Sequence, residues 1–205
     1  MSKKNILFII TVLLLIGIIV MVTGNFNFGG NDIKTISTIN GYDYELTELD
    51  SKTFTNKFNE LKKILENKPI EEEKYQTLIA EMFTIDLFTL DTKVNKYDVG
   101  GVEYFHKEKQ KMFKTKVIAE FYDGIKDSST NNRDQELPEV TSTEVLSNNE
   151  SLFKIGTTEL QSYEIIIKLT YKKDLGYDTY AKVILVKNNN KYEVVEFTSS
   201  KNQPE

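Results

Sequence analysis

The chain has no cysteine, a single histidine at His106 and only three prolines in 205 residues. Without cysteine there is neither a disulfide nor a lipoprotein attachment point, so stability must come from packing. One histidine and no thiol remove the usual zinc ligand sets. No stretch alternates Asp or Asn with the glycine and distant glutamate of a calcium loop, and Asp123-Gly124 with Asp127 lacks that spacing. A serine nucleophile needs a base, and His106 has no nearby serine or acid string that suggests a triad. Gly29-Gly30 and Gly100-Gly101 are isolated pairs without a phosphate-cradling pattern, and they read as backbone punctuation. Nothing points to a catalytic set, a metal or a cofactor.

Cations are also scarce where a polyanion would need them. Lys107, Lys109, Lys111, Lys114 and Lys116 are interleaved with Glu108 and Glu120, which describes a solvated helix face rather than a phosphate-binding patch. The formal charge is −5, so no nucleic-acid partner is expected.

What is present is an unbroken uncharged run from Ile6 to Val22, directly after Lys3 and Lys4. At ~1.5 Å per residue it covers about 25 Å, close to the ~30 Å hydrocarbon core once Thr23 and Gly24 are added. The lysines before it and the uncharged spacer after it keep the N-terminus cytoplasmic and place the C-terminal bulk outside. The rival reading is a cleavable leader, whose apolar core is typically ~7–15 residues and so shorter than this run, although Val22 and Gly24 have the small size found before cleavage points. The expected layout is a cytoplasmic tail (1–5), a single-pass anchor (6–24), a linker (25–41), an extracytoplasmic domain (42–199) and a disordered tail (200–205). With Lys3 and Lys4 left inside, removing two positive charges takes −5 to −7 for the exported part. The many Asn, Lys and Ile residues accord with AT-rich coding and with a bacterial surface protein.

The exported part relies on 12 Phe and 11 Tyr to fill one core. Tyr42 to Leu49 alternates like a short strand. Asp50 or Ser51 caps a helix with Phe54, Phe58, Leu61, Ile64 and Leu65 on one face. Pro69 followed by Glu71, Glu72 and Glu73 is favourable first-turn chemistry for a second helix, whose wide apolar surface from Tyr75 to Leu90 makes it the central one. A third helix is expected from Asp98 to about Lys126, with Gly100 and Gly101 weakening its first turn, and a polar loop spans Ser128 to Glu136.

From Leu137 the period becomes two. Strands are expected over Glu139–Leu146, around Tyr163–Tyr171, over Tyr177–Lys187 and over Lys191–Thr198, the last two joined by a tight turn at Asn188–Asn190. In the last strand Tyr192 and Val194 oppose Glu193, Val195 and Phe197. Helices followed by meandering strands define an α+β domain, with three helices packed on one face of a curved four-stranded antiparallel sheet and the other face in water.

This order, with Val183–Lys187 and Lys191–Val195 as a closing hairpin, resembles the nuclear-transport-factor-two-like (NTF2-like), or cystatin-like, superfamily over roughly Tyr42 to Thr198. Together with the anchor, the layout is similar to the bitopic proteins of type IV secretion and Gram-positive conjugation machines. That resemblance implies a cone-shaped domain and a scaffold role through a protein partner or self-association. It also leaves open a small-ligand or enzymatic pocket between helices and sheet, since similar folds include isomerases and dehydratases.

Two residues are candidates for such a pocket. Asp86 interrupts the most apolar helix, where a carboxylate either has a raised pKa at a functional site or is satisfied by a neighbour such as Lys93, Lys62 or Lys63. Tyr163 heads a group with Tyr171, Tyr177, Tyr180 and Tyr192 on the expected sheet, where a rigid ring with one polar end suits a contact surface. His106 is the natural proton shuttle by its ordinary pKa, but it falls beside the apolar phase set by Phe105 and reads as a surface or half-buried structural residue.

Overall fold

The computed structural model describes residues 33–130 and 133–204. The expected anchor, the lysines before it and the first part of the expected linker lie outside the described residues. Among those described, no helix is long and apolar enough to cross a membrane. The unit from Ile33 onward is α+β: three α-helices, a four-stranded antiparallel sheet and a separate two-stranded sheet.

The small sheet pairs β1 (Thr35–Ile39) with β2 (Tyr44–Thr47). β1 falls within the stretch expected to be a linker. Its only buried side chain is Ile39, so its own sequence carries almost no alternation. In β2, Tyr44 and Leu46 point into the core and Glu45 points out.

α1 (Lys52–Glu66) starts where the Phe54 amide donates to the Ser51 hydroxyl, and it buries Phe54, Phe58, Leu61 and Leu65. α2 (Glu72–Phe88) carries Glu72 and Glu73 in its first turn, where acids complement the exposed amide dipoles. From Leu78 to Ile85 every one of its side chains is buried, the pattern of a helix covered on all sides.

The expected continuous helix from Asp98 to Lys126 is not formed. Residues 98–109 instead hold two short 3-10 turns, Val102–Tyr104 and Lys107–Lys109, and only Gln110–Glu120 is α-helical (α3). Two constraints break it. Gly101 sits at φ +77°, and a Cβ on Gly100 would lie 2.2 Å from the Asp86 carbonyl oxygen, so this backbone lies directly against α2. Further on, the His106 amide donates to the Val194 carbonyl at 2.8 Å, bonding the chain to the sheet edge rather than to a preceding helical turn. Asp98 accepts from the Val94 amide and caps no helix.

The main sheet is a meander in the order β3 (Val140–Ile155), β4 (Thr158–Tyr171), β5 (Tyr180–Asn188), β6 (Lys191–Ser200). Its inner face presents Ile165, Ile167, Leu169, Ala181, Val183, Leu185, Tyr192 and Val194 to the helices. A register shift between Ile184 and Leu185 places Val194 opposite Leu185 and Phe197 opposite Val183. Val195 is the extra residue. The bulge therefore brings Phe197 to the same face as Val194, correcting the expectation that it lies opposite. There Phe197 joins Phe83, Phe113 and Phe121, with ring centroids 5.5, 5.8 and 6.0 Å away.

The outer face does not simply meet water. Lys168, Thr170, Glu196 and Thr198 are exposed, yet Ser162, Val186 and Val195 are at most 2% exposed. Beyond Ser162, β3 and β4 continue as a two-stranded arm that β5 no longer pairs with. The Lys109 ammonium sits 4.7 Å from the Phe153 ring centre on that arm and donates to the Val195 carbonyl at 3.1 Å. The arm thus curls back over the outer face as far as β6 and covers one end of it.

Phe83 joins α2, α3, the 105 segment and β6, its ring lying 5.9, 5.8 and 5.5 Å from Phe105, Phe113 and Phe197. Phe83→Ala is expected to lower the unfolding free energy by about 3–5 kcal/mol. Urea denaturation of the full chain checks this; a loss below about 1 kcal/mol, the size of a surface substitution, would show that this cluster is not the packing centre.

Candidate functional site

The two candidate residues lie at opposite ends of α2. Tyr163 packs edge-on against Tyr192 at 5.7 Å. Tyr192 donates to Glu72 in the first turn of the helix at 2.6 Å and accepts from Gln76 at 3.0 Å. Asp86 is in the last turn, ten residues past Gln76 and so about 15 Å along the axis. No single pocket contains both.

Between these ends the space under the helices is filled. The phenylalanine cluster occupies one side, and Tyr42, Tyr44, Tyr75, Tyr104 and Tyr192 stack or meet edge-on at 5.0–6.2 Å on the other. A polar seam crosses from helix to sheet between them. Glu81, 4% exposed, accepts from Lys57 at 2.8 Å and from the Thr143 hydroxyl at 2.7 Å. Gln76 accepts from the Asn148 side chain at 2.9 Å. These bonds satisfy groups that would otherwise be costly to bury. The sheet tyrosines likewise serve the interior: Tyr192 is buried, and Tyr171 donates to the Asp178 carbonyl.

At the C-terminal end of α2 a cleft of about 150 Å³ is lined by Glu45, Asp50, Asp86, Asp98 and Glu103, with Lys93 as its cation. Lys93 is ion-paired to Asp86 Oδ1, and the Gly101 amide donates to Asp86 Oδ2 at 2.6 Å. Burial pulls the Lys93 ammonium down more than any single neighbour pulls it up, but the charge and hydrogen bond of Asp86 together with Tyr122 and Asp98 hold the group above its ordinary pKa. The single arginine, Arg133, donates to the carbonyls of Lys93 and Asp91. Tyr122 donates to the Leu87 carbonyl at 2.7 Å. The cleft is therefore the fastening of the α2 C-terminus, and Asp86 is satisfied by Lys93 from within the chain.

Crowding in the cleft acts on its other carboxyls. Burial and then the Asp86 charge push Glu103 up to about 7, with Asp50 and Glu45 adding to it. Glu103 as a whole is exposed, so water screens the size of the effect but not its direction. Burial also raises Asp50, against the amide and hydroxyl of Thr47. No group of three acidic or histidine side chains is placed to hold a metal ion among the described residues. His106 is half-buried, its Nε2 lying 3.8 Å from Glu193.

The longest exposed feature is the free edge of β3. At the other side of the sheet, the Phe105–His106 backbone bridges β6 at Val194. Among the described residues no backbone hydrogen bond joins Ser142–Ile155 to anything but β4. Leu152 on this strand is the most exposed large hydrophobic side chain among those residues, at 68%. The sequence missed this feature because residues 147–151 are polar and suggest a loop after Leu146; they continue the strand by pairing with Ser162–Ile166.

Helix, fastening and edge define an α+β domain with a filled interior and a long open margin at β3. Searches against family models, curated proteins and solved structures find no match.

Two outcomes are expected at the cleft. Lys93→Met strands the Asp86 charge and should cost about 2–4 kcal/mol, the lower part of the range for breaking a buried pair because Asp86 keeps 17% exposure. Adding Asp86→Asn, which still accepts from Gly101, should recover at least half of that in denaturant titrations; an additive double variant would contradict the pairing. The second concerns pH. A carboxyl raised in the folded state binds its proton more tightly there than unfolded, so stability is highest below its ordinary pKa of 4.5 and falls as pH rises through about 7. Glu103→Gln should flatten this decline between pH 4.5 and 7, and an unchanged slope would show that Glu103 does not contribute to it.

Proposed function

We propose that the chain is a membrane-anchored, extracytoplasmic protein-binding module of a bacterial envelope assembly, acting as a scaffold rather than a catalyst. Residues 6–24 form its single-pass anchor, and the domain beyond carries an NTF2-like arrangement of helices on a curved sheet. The observation that carries this reading is the free margin of β3, where the backbone from Ser142 to Ile155 bonds to nothing but β4 among the described residues. Such an edge offers a row of amides and carbonyls to an added strand, with alternate side chains supplying selectivity. The uncharged run from Ile6 to Val22 supports the location, and the filled helix–sheet interior favours surface recognition over the alternative of a small-ligand pocket.

A photo-crosslinking side chain at Asn149 of the full chain, irradiated on intact cells, should yield protein adducts, and the same probe at Lys201 should yield at least about tenfold fewer. Protease added to those cells should remove the C-terminal domain. Full-length chain in the cytosol, or equal labelling at the two positions, would contradict the proposal.

A further inference from the structure

The β1–β2 hairpin, residues 33–50, lies on the domain as a strap. Among the described residues no main-chain hydrogen bond joins it to the helices or to the main sheet. Ile39, Tyr44 and Leu46 are buried beneath it, Tyr42 meets Tyr75 edge-on at 6.0 Å, and Tyr44 stacks on Tyr104 at 5.7 Å. Polar fastening is confined to the turn end. There the Tyr44 and Tyr75 hydroxyls are 3.0 Å apart, the Asn190 side chain donates to the Gly41 carbonyl at 3.1 Å, and Lys191 lies 3.9 Å from Asp43.

The other end of the strap is one wall of the acidic cleft. Glu45 and Asp50 stand on the strap, and Asp86, Lys93, Asp98 and Glu103 stand on the body of the domain. Among the described residues no side-chain hydrogen bond or ion pair crosses between these two walls. Glu45 accepts from Thr35 and Asp50 from Thr47, both within the strap. On the body, Lys93 is committed to Asp86, and Asp98 accepts from the Val94 amide. The seam therefore sets two carboxylates against three, with one ammonium that is already paired, and like charges across a narrow cleft repel.

A second cost lies under the strap. Tyr104, 1% exposed beneath the Tyr44 ring, has a buried hydroxyl without a partner, and an unpaired buried polar group favours any state that gives it water. Apolar burial and the turn-end bonds hold the strap down, while the cleft charges and this hydroxyl work against them.

We infer that the hairpin is an acid-closed strap: a proton on Glu103 lets its cleft end seat against the body, and ionisation of Glu103 lifts that end and opens the Tyr104 hydroxyl to water. The groups facing Glu103 agree with this. Burial raises its pKa most, then the Asp86 charge, with Asp50 and Glu45 of the strap adding to it and Tyr104 opposing. A carboxyl raised in the closed state holds its proton more tightly there than in the open one, so closure is strongest below 4.5 and weakens as pH rises through about 7.

Hydrogen exchange of the full chain at pH 4.5 and at about pH 8, corrected for intrinsic rates, tests this on either side of that range. The β1–β2 ladder amides and the Glu48 amide, which donates to the Lys34 carbonyl, should lose protection roughly tenfold at the higher pH. That is less than the full linkage, because Glu103 is in contact with water. The β5 amides, which report on the whole domain, should be equally protected at both. Glu103→Gln should keep the strap protected at both pH values, with β5 showing that the variant is folded. Equal strap protection in the parent chain at the two pH values overturns the inference. So does a fall that persists in the folded variant, or a loss shared by β5, which would mark unfolding of the whole domain rather than release of the strap.

Discussion

The burial of α2 on all sides is the constraint from which the rest of the structure follows. A helix whose side chains from Leu78 to Ile85 are all buried needs a cover on every flank. α1, the inner face of the sheet, α3 and the 98–106 segment supply it through Phe58, Leu61, Val183, Phe113 and Phe105, all in one continuous core. A buried helix also has buried polar ends. Tyr122 meets the Leu87 carbonyl, and Asp86 joins Lys93 to the Gly101 amide, so the C-terminal turn is fastened by hydrogen bonds rather than by solvent. At the other end Glu72 meets Lys187 and Tyr192. The acidic cleft belongs to this fastening, and so its one strong ion pair is internal.

That arrangement decides which surfaces remain open. Helices cover the inner face of the sheet, the β3–β4 arm covers one end of the outer face, and the Phe105–His106 backbone bridges the β6 margin at Val194. β3 is left with a bulged, mostly polar strand whose edge from Ser142 to Ile155 is unbonded among the described residues. A polar edge strand limits nonspecific aggregation while keeping the main chain free for a specific partner, which suits the proposed docking there.

Much of this was legible in the residues. Spacings of three and four from Phe54 to Leu65 gave α1, the wide apolar surface from Tyr75 gave the central helix, and the shift to period two at Leu137 located the sheet. What local spacing could not show was where tertiary bonds override it. His106 bonds to β6, so residues 98–109 form no α-helix despite Val102 and Phe105 in helical phase. The bulge at Val195 turns Phe197 inward, and β1 is held by pairing with β2 although its sequence has little pattern of its own. For the site, Lys93 was one of three lysines, with Lys62 and Lys63, that could meet Asp86; the choice among them was not readable because Lys93 lies past the helix end at Phe88 and is brought back by the chain's turn there. The separation of Asp86 from Tyr163 became visible only when the Tyr192–Gln76 bond placed Tyr163 at the far end of α2.

β3 shows the same limit in its clearest form, because Ser147 to Ser151 have the composition of a loop and become a strand only through β4. Their amides report directly on what the margin does. Hydrogen exchange of the full chain, compared in the proposed membrane setting and after dilution in detergent, follows the edge without any substitution. The account predicts that edge-facing amides between Leu146 and Leu152 exchange at least about tenfold more slowly in the membrane, while those of β5 are equally protected in both states. Equally rapid exchange of the β3 edge amides in the two states would contradict it.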